Sequence, residues 1–193
     1  SRQVENDLLF VGRFIKKKGV PFLLQAVSIL KKDYPDIRLL LVGDGPLRED
    51  YVQQAATLGI VENVKFAGAL DQDALPAVYN RSGIFVLPSV IDTSGDREGL
   101  GLVMIEAMGC GCPVVAFADG AIHDVIENRK TGLLAEPGDA RDLAEQIRKL
   151  MNDDQLCAQI AGAARERALE RFDWTVIAGQ YHDQIRDMVK AGK

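Results

Sequence analysis

The segment GDREGLGLVMIEAMGCGCPVV, residues 95–115, places two carboxylates, Glu98 and Glu106, with seven residues between them. Gly99 and Gly101 follow the first, and the second lies among Val103, Met104, Ile105, Ala107 and Met108. Glycines let a ligand approach the backbone closely. A helix starting near Leu100 presents the N–H groups of Leu100, Gly101, Leu102 and Val103 before its own hydrogen bonds begin, which makes an anion cradle. Helical side chains lean toward the N-terminus, so Glu106 can reach back toward the same place. A carboxylate repels phosphate and suits neutral hydroxyls. A sugar on one side of a diphosphate and a ribose on the other answer that need. The plainer readings are a favourable acid in a first helical turn for Glu98 and a carboxylate held by a structural partner for Glu106.

A second set of charges lies in Gly12-Arg13-Phe14-Ile15-Lys16-Lys17-Lys18-Gly19, which follows an apolar run and opens a helix. A helix N-terminus attracts phosphate, and Arg13 and Lys18 add full charges there. Lys16 and Lys17 read as a solvated surface run. Gly43-Asp44-Gly45 starts like a dinucleotide fingerprint, but Pro46 intervenes and Arg48 takes the third glycine position. That rejects an NAD reading and leaves a tight turn packed near a ligand. There are two histidines, His123 and His182, and Cys110-Gly111-Cys112 lacks the two-residue spacer of zinc and redox motifs. No metal or other cofactor is expected. With Cys157 the cysteine count is three, which predicts reduced thiols and a cytoplasmic setting.

These loops need a frame. Apolar runs without alternation predict buried parallel strands over Leu8–Gly12, Ile37–Val42, Val64–Ala67, Ile84–Leu87 and Pro113–Phe117. Helical spacing falls between them, over Val20–Leu30, Leu47–Leu58, Ala74–Asn80, Leu100–Met108 and Ile122–Glu127. After Gly138 only helices follow, over Asp139–Leu150, Asp154–Glu170 and Trp174–Val189. The expected fold is α/β, a Rossmann-like doubly wound parallel sheet with helices on both faces and a helical C-terminal tail. In such sheets ligands sit beyond the carboxyl ends of the strands, where Arg13, Lys18 and the two glutamates fall. Trp174, Ile177, Tyr181, Ile185 and Val189 form a packing stripe on the last helix that needs a partner surface.

The 193 residues suit one domain with a real core, and 47% apolar with 26% charged residues is ordinary for a globular chain. The net charge of −5 argues against nucleic acid as a partner. No apolar stretch is long enough to span a bilayer. The start, Ser1-Arg2-Gln3-Val4, reads neither as a signal peptide nor as a native initiation, as in a piece of a longer protein.

Together these motifs resemble the C-terminal half of a family 4 glycosyltransferase, the group 1 type with the two-domain GT-B fold. Gly12-Arg13 with Lys18-Gly19, Val42-Gly43-Asp44-Gly45-Pro46, Phe66-Ala67-Gly68, Val86-Leu87-Pro88-Ser89, the paired Glu98 and Glu106, Pro113-Val114-Val115 and Gly132-Leu133-Leu134 occur in that family's order and spacing. Leu100 sits where many members have phenylalanine. The resemblance implies a site for a nucleotide-diphosphate sugar. Glu98 would bind donor-sugar hydroxyls and Glu106 the ribose. Arg13 and Lys18 would hold the diphosphate and stabilise the leaving group, so Arg13, Lys18 and Glu98 are the expected catalytic residues. Leu70 would contact the base through its backbone with Leu75 nearby. The acidic loop Asp92–Arg97 reads as extended and mobile, within reach of donor or acceptor. Residues 1–172 would form the donor domain. Residues 173–193 would cross to an N-terminal half that binds a sugar or lipid-linked acceptor and carries any membrane association. The isolated chain would bind nucleotide and transfer little. The rival readings are a sugar-nucleotide epimerase of similar fold and a non-catalytic nucleotide-binding module.

Overall fold

The computed structural model describes residues 6–93 and 95–191, with side chains over 7–93 and 95–188. Ser1–Val4, Ser94 of the acidic loop and the Val189 side chain lie outside the described residues. The strands are β1 (Asn6–Val11), β2 (Leu39–Val42), β3 (Val64–Gly68), β4 (Ser82–Leu87), β5 (Val114–Phe117) and β6 (Leu133–Ala135). The helices are α1 (Val20–Leu30), α2 (Arg48–Thr57), α3 (Leu75–Asn80), α4 (Leu102–Gly109), α5 (Ile122–Val125), α6 (Ala140–Asn152), α7 (Asp154–Phe172) and α8 (Trp174–Ala191). The strands form one sheet in the order β3-β2-β1-β4-β5-β6. Every neighbouring pair is parallel.

The runs without alternation are explained by two cores, one on each face of the sheet. Leu8, Phe10, Leu39, Leu41, Ile84, Val86, Val115 and Phe117 belong to one. Leu9, Val11, Leu40, Val42, Phe85, Leu87, Val114 and Ala116 belong to the other. Successive side chains alternate across the pleat, so a strand covered on both sides must be apolar at every position. Helices α1, α2 and α6 add to the first core, α3, α4 and α5 to the second, and α7 to both.

Five strands fall where the sequence places them, within two residues at each end. The sixth, β6, falls on Leu133 and Leu134, read above only as part of a motif. The last three helices start as expected. Asp139 accepts from the N–H groups of Arg141 and Asp142 at the start of α6, and Asp153 from that of Leu156 at the start of α7. The stripe on α8 stays largely open. Trp174 is 79% exposed, and Tyr181 and Ile185 are also exposed. Chain order reverses between β1 and β4, because β2 and β3 lie on one side and β5 and β6 on the other. A crevice opens at such a switch point, past the carboxyl ends of the two strands.

Candidate active site at the switch point

The loop after β1 is anchored before its charges emerge. Phe14 is fully buried and stacks edge-on against Tyr51 and Phe66, with centroids 5.6 and 6.2 Å away. The Phe14 N–H donates to Asp44 O at 2.9 Å and its carbonyl accepts from Leu47 N–H at 3.2 Å. A Cβ on Gly43 would stand 1.9 Å from Gly12 O, so these two loops touch backbone to backbone. Gly43-Asp44-Gly45 is therefore a packing turn. Arg13, between Gly12 and Phe14, is exposed. Lys16–Lys18 form a single 3₁₀ turn that feeds α1 through Gly19.

The loop after β4 meets this turn. Lys18 Nζ pairs with the Glu98 carboxylate, both side chains about 15% exposed. The Ser89 hydroxyl donates to Glu98 Oε2 at 3.2 Å. A residue expected on a diphosphate and one expected on a sugar thus meet directly, 80 positions apart in the chain.

Lys17 corrects the expectation of a solvated run. Its Nζ lies 2.9 Å from Asp96 Oδ2 and 3.3 Å from Arg97 O. The hydrogen bond that its ammonium donates to the Asp96 carboxylate raises the Lys17 pKa. The acidic loop closes on itself as a turn. Asp92 N–H donates to Asp96 O at 2.9 Å, Asp96 N–H to Asp92 Oδ1 at 3.1 Å, and Gly95 N–H to Asp92 O at 3.0 Å.

A second correction concerns the anion cradle. Helix α4 begins at Leu102, two residues later than expected, because Gly101 takes a left-handed φ of 67° and caps it. A right-handed helix cannot run back through that conformation. Met104 N–H makes the first bond, to Gly101 O at 2.8 Å. The N–H groups of Leu102 and Val103 belong to the open helix end, while Leu100 and Gly101 precede it.

Glu106 has the structural partner that the sequence left open. The Tyr79 hydroxyl donates to Glu106 Oε2 at 3.1 Å. Tyr79 is buried at the end of α3, its ring edge-on to Phe85. Burial, and then the negative Glu106, push the Tyr79 pKa far up, so it remains a donor.

Residues 1–167 match the family described as Glycosyl transferases group 1. The chain belongs to the group 1 glycosyltransferases. The GDP-mannose-dependent alpha-(1-6)-phosphatidylinositol monomannoside mannosyltransferase of Mycolicibacterium smegmatis is 32% identical over 165 residues, which covers 85% of this chain and 43% of that protein. HepE of Anabaena, solved with UDP and glucose, is 30% identical with a TM-score of 0.83, covering 94% of this chain and 48% of that one. The C-terminal domain of a group 1 protein (LpcC) from Francisella tularensis is 25% identical with a TM-score of 0.78, covering 89% of this chain and 88% of that domain. The chain thus spans about half or less of the length of the first two.

The remaining expected positions of this group 1 chain lie on and before α3. Leu70 is exposed in the loop after β3, and Leu75 opens α3 and packs on the second core. A groove of about 390 Å³ runs between α4 and the start of α8, lined by Leu100, Leu102, Glu106, Trp174 and Ile177 among others. Among the described residues, no three His, Cys, Asp or Glu side chains cluster as metal ligands, and no helix is long and apolar enough to cross a membrane.

Tyr79→Phe removes one hydroxyl and no packing. The lost bond to a carboxylate should cost about 1–2 kcal/mol at pH 8 by urea unfolding. The gap should close as pH rises past 10. Above that value the unfolded wild-type chain ionises Tyr79 while the folded chain, with its raised pKa, retains the proton. Wild-type stability then falls by about 1.4 kcal/mol per pH unit on this account, and the variant escapes the loss. A gap that stays constant to pH 11 would show that the hydroxyl ionises freely in the folded state.

Proposed function

We propose that this chain is the donor-binding half of a retaining glycosyltransferase. It takes a sugar from a nucleotide-diphosphate donor for transfer to an acceptor such as a glycan or lipid-linked glycan. The carrying observation is the meeting of Lys18 and Glu98 at the switch point between β1 and β4. A cation suited to a diphosphate stands beside a carboxylate suited to sugar hydroxyls, with Arg13 in the adjoining loop. On this reading Arg13 and Lys18 hold the diphosphate and stabilise the charge that builds on it as the sugar leaves, an electrostatic form of catalysis. The N–H groups of Leu102 and Val103, with Leu100 and Gly101 just before them, face the same anion. Gly99 leaves room for the sugar. Glu106, oriented by Tyr79, takes the ribose, and the Leu70 to Leu75 loop takes the base. None of these roles calls on a metal or other cofactor.

The relatives support the reading by what their names carry: GDP-mannose dependence for one and bound UDP for another. The acceptor site belongs to the remaining half of a two-domain enzyme, and the exposed stripe on α8 suits contact with that half. This chain alone binds nucleotide and transfers little.

A thermal-shift screen of UDP, GDP, ADP and their sugars tests this. At 100 times Kd a ligand stabilises by about 2.7 kcal/mol, a rise of about 5–10 °C for a chain of this size. No shift with any of them would sink the reading. Glu98→Gln should then weaken only the sugar-bearing ligands, and Glu106→Gln the bare diphosphates as well. In the full protein, transfer to an acceptor supports the proposal, and an altered free donor sugar means an epimerase.

A further inference from the structure

Glu98 belongs to a loop, residues 88–101 between β4 and α4, so its carboxylate is only as well placed as that loop. Its direct partners are Lys18 and Ser89. On the donor-site reading, which this inference rests on, a diphosphate draws on Lys18. The hold on Glu98 must then come from elsewhere.

Lys17 supplies it. The loop's own turn is closed by the Asp92–Asp96 bonds described above. Lys17 Nζ lies 3.1 and 2.9 Å from the two Asp96 carboxylate oxygens and 3.3 Å from the Arg97 carbonyl, one peptide before Glu98. The Lys17 carbonyl accepts from Val90 N–H at 2.9 Å. Both the backbone and the side chain of Lys17 thus grip the loop, one ahead of the turn and one after it. The base of this grip is firm, because Gly19 stands hard against the Pro88 carbonyl. We infer that Lys17 is a positioning residue for the donor sugar: through Asp96 and the Arg97 carbonyl it holds Glu98 at the place where the sugar hydroxyls meet it.

The alternative is an ion pair with no consequence. The Asp96 side chain is 58% exposed, and exposed pairs add little to stability. The two cases therefore separate on binding rather than on melting. The probes are the bare diphosphate and the sugar diphosphate of whichever base the chain binds: UDP with UDP-glucose, GDP with GDP-mannose, or ADP with ADP-glucose. Titration calorimetry on Lys17→Ala, Asp96→Ala and the double variant should show the sugar diphosphate weakened about fivefold. The bare diphosphate should change less than twofold. The double variant should lose no more than Lys17→Ala alone, since Lys17→Ala already removes both the Asp96 and the Arg97 contacts. Lys17→Arg should recover most of the loss, and Lys16→Ala, which removes the same charge from an exposed neighbour, should show none. Equal weakening of both probes, additive losses, or the same loss in Lys16→Ala would overturn the inference and leave only a charge effect. A wild-type chain that binds none of the probes would instead refute the donor site itself.

Discussion

Gly19→Ala is expected to lower the thermal midpoint by about 10 °C. Gly19 has a φ of +64°, and a Cβ there would stand 1.7 Å from Pro88 O and 2.8 Å from Pro88 C. Both partners are backbone, one at the start of α1 and one just past β4, so no flexible side chain can yield. Left-handed strain costs about 1–2 kcal/mol, and forced overlap in a packed place about 1–3 kcal/mol more. At about 2–4 °C per kcal/mol for this size, the sum gives the stated shift. Gly59→Ala is the control. Gly59 has a φ of +68° with nothing within 4 Å, and it ends α2 with its N–H on Ala56 O and the next N–H, of Ile60, on Ala55 O. It should show the strain alone, about 1 kcal/mol. Equal midpoints for the two variants would mean that the Pro88 loop gives way freely, and the tight seam between the β1 and β4 loops would be wrong.

That seam shows what was legible in the sequence. The residue types at the site and their positions at strand ends could be read directly, since buried parallel strands announce themselves as unbroken apolar runs. Lys18 and Glu98 could be named but not paired, because nothing local connects residues so far apart; the strand order brings them together. Lys16 and Lys17 look alike in sequence. A 3₁₀ turn places three residues per turn, so adjacent lysines point in different directions, and only Lys17 meets the acidic loop. Tyr79 gave no signal: a tyrosine at the end of a short helix reads as core, and its hydroxyl matters only because α4 brings Glu106 over it.

Two misreadings of the frame have the same origin. Three residues, Leu133–Ala135, are too few for any pattern to declare. They are a strand because β5 offers them a parallel ladder, pairing Val115 with Leu133 and Phe117 with Ala135. Helix α4 was expected to extend back to Leu100 on the strength of apolar spacing. Gly101 sits instead against Leu87, Met104 and Ile122, and its left-handed turn sets where the helix opens. Tertiary contacts decide both cases, and spacing along the chain does not contain them.

Arg13→Ala is expected to leave stability nearly unchanged and to weaken nucleoside diphosphates by about 10- to 150-fold. The backbone around it is fixed without it: Gly12 N–H donates to Val42 O and Phe14 N–H to Asp44 O, each at 2.9 Å. Phe14 carries the packing of the loop, and the Arg13 side chain is exposed. An exposed arginine on a rigid loop is a pre-placed cation whose removal disturbs no core. On the donor-site reading, losing its charge-assisted bonds to phosphate costs about 1.5–3 kcal/mol, which converts to the stated range. The matching nucleoside, which has no phosphate, should bind the variant and the wild type alike. Calorimetric titration of both ligands against both proteins makes the comparison, repeated at higher salt, where the difference should shrink. An equal loss for nucleoside and diphosphate would place Arg13 away from the phosphates and leave the anion to Lys18 and the end of α4. A large drop in the midpoint would mean that the side chain braces the loop.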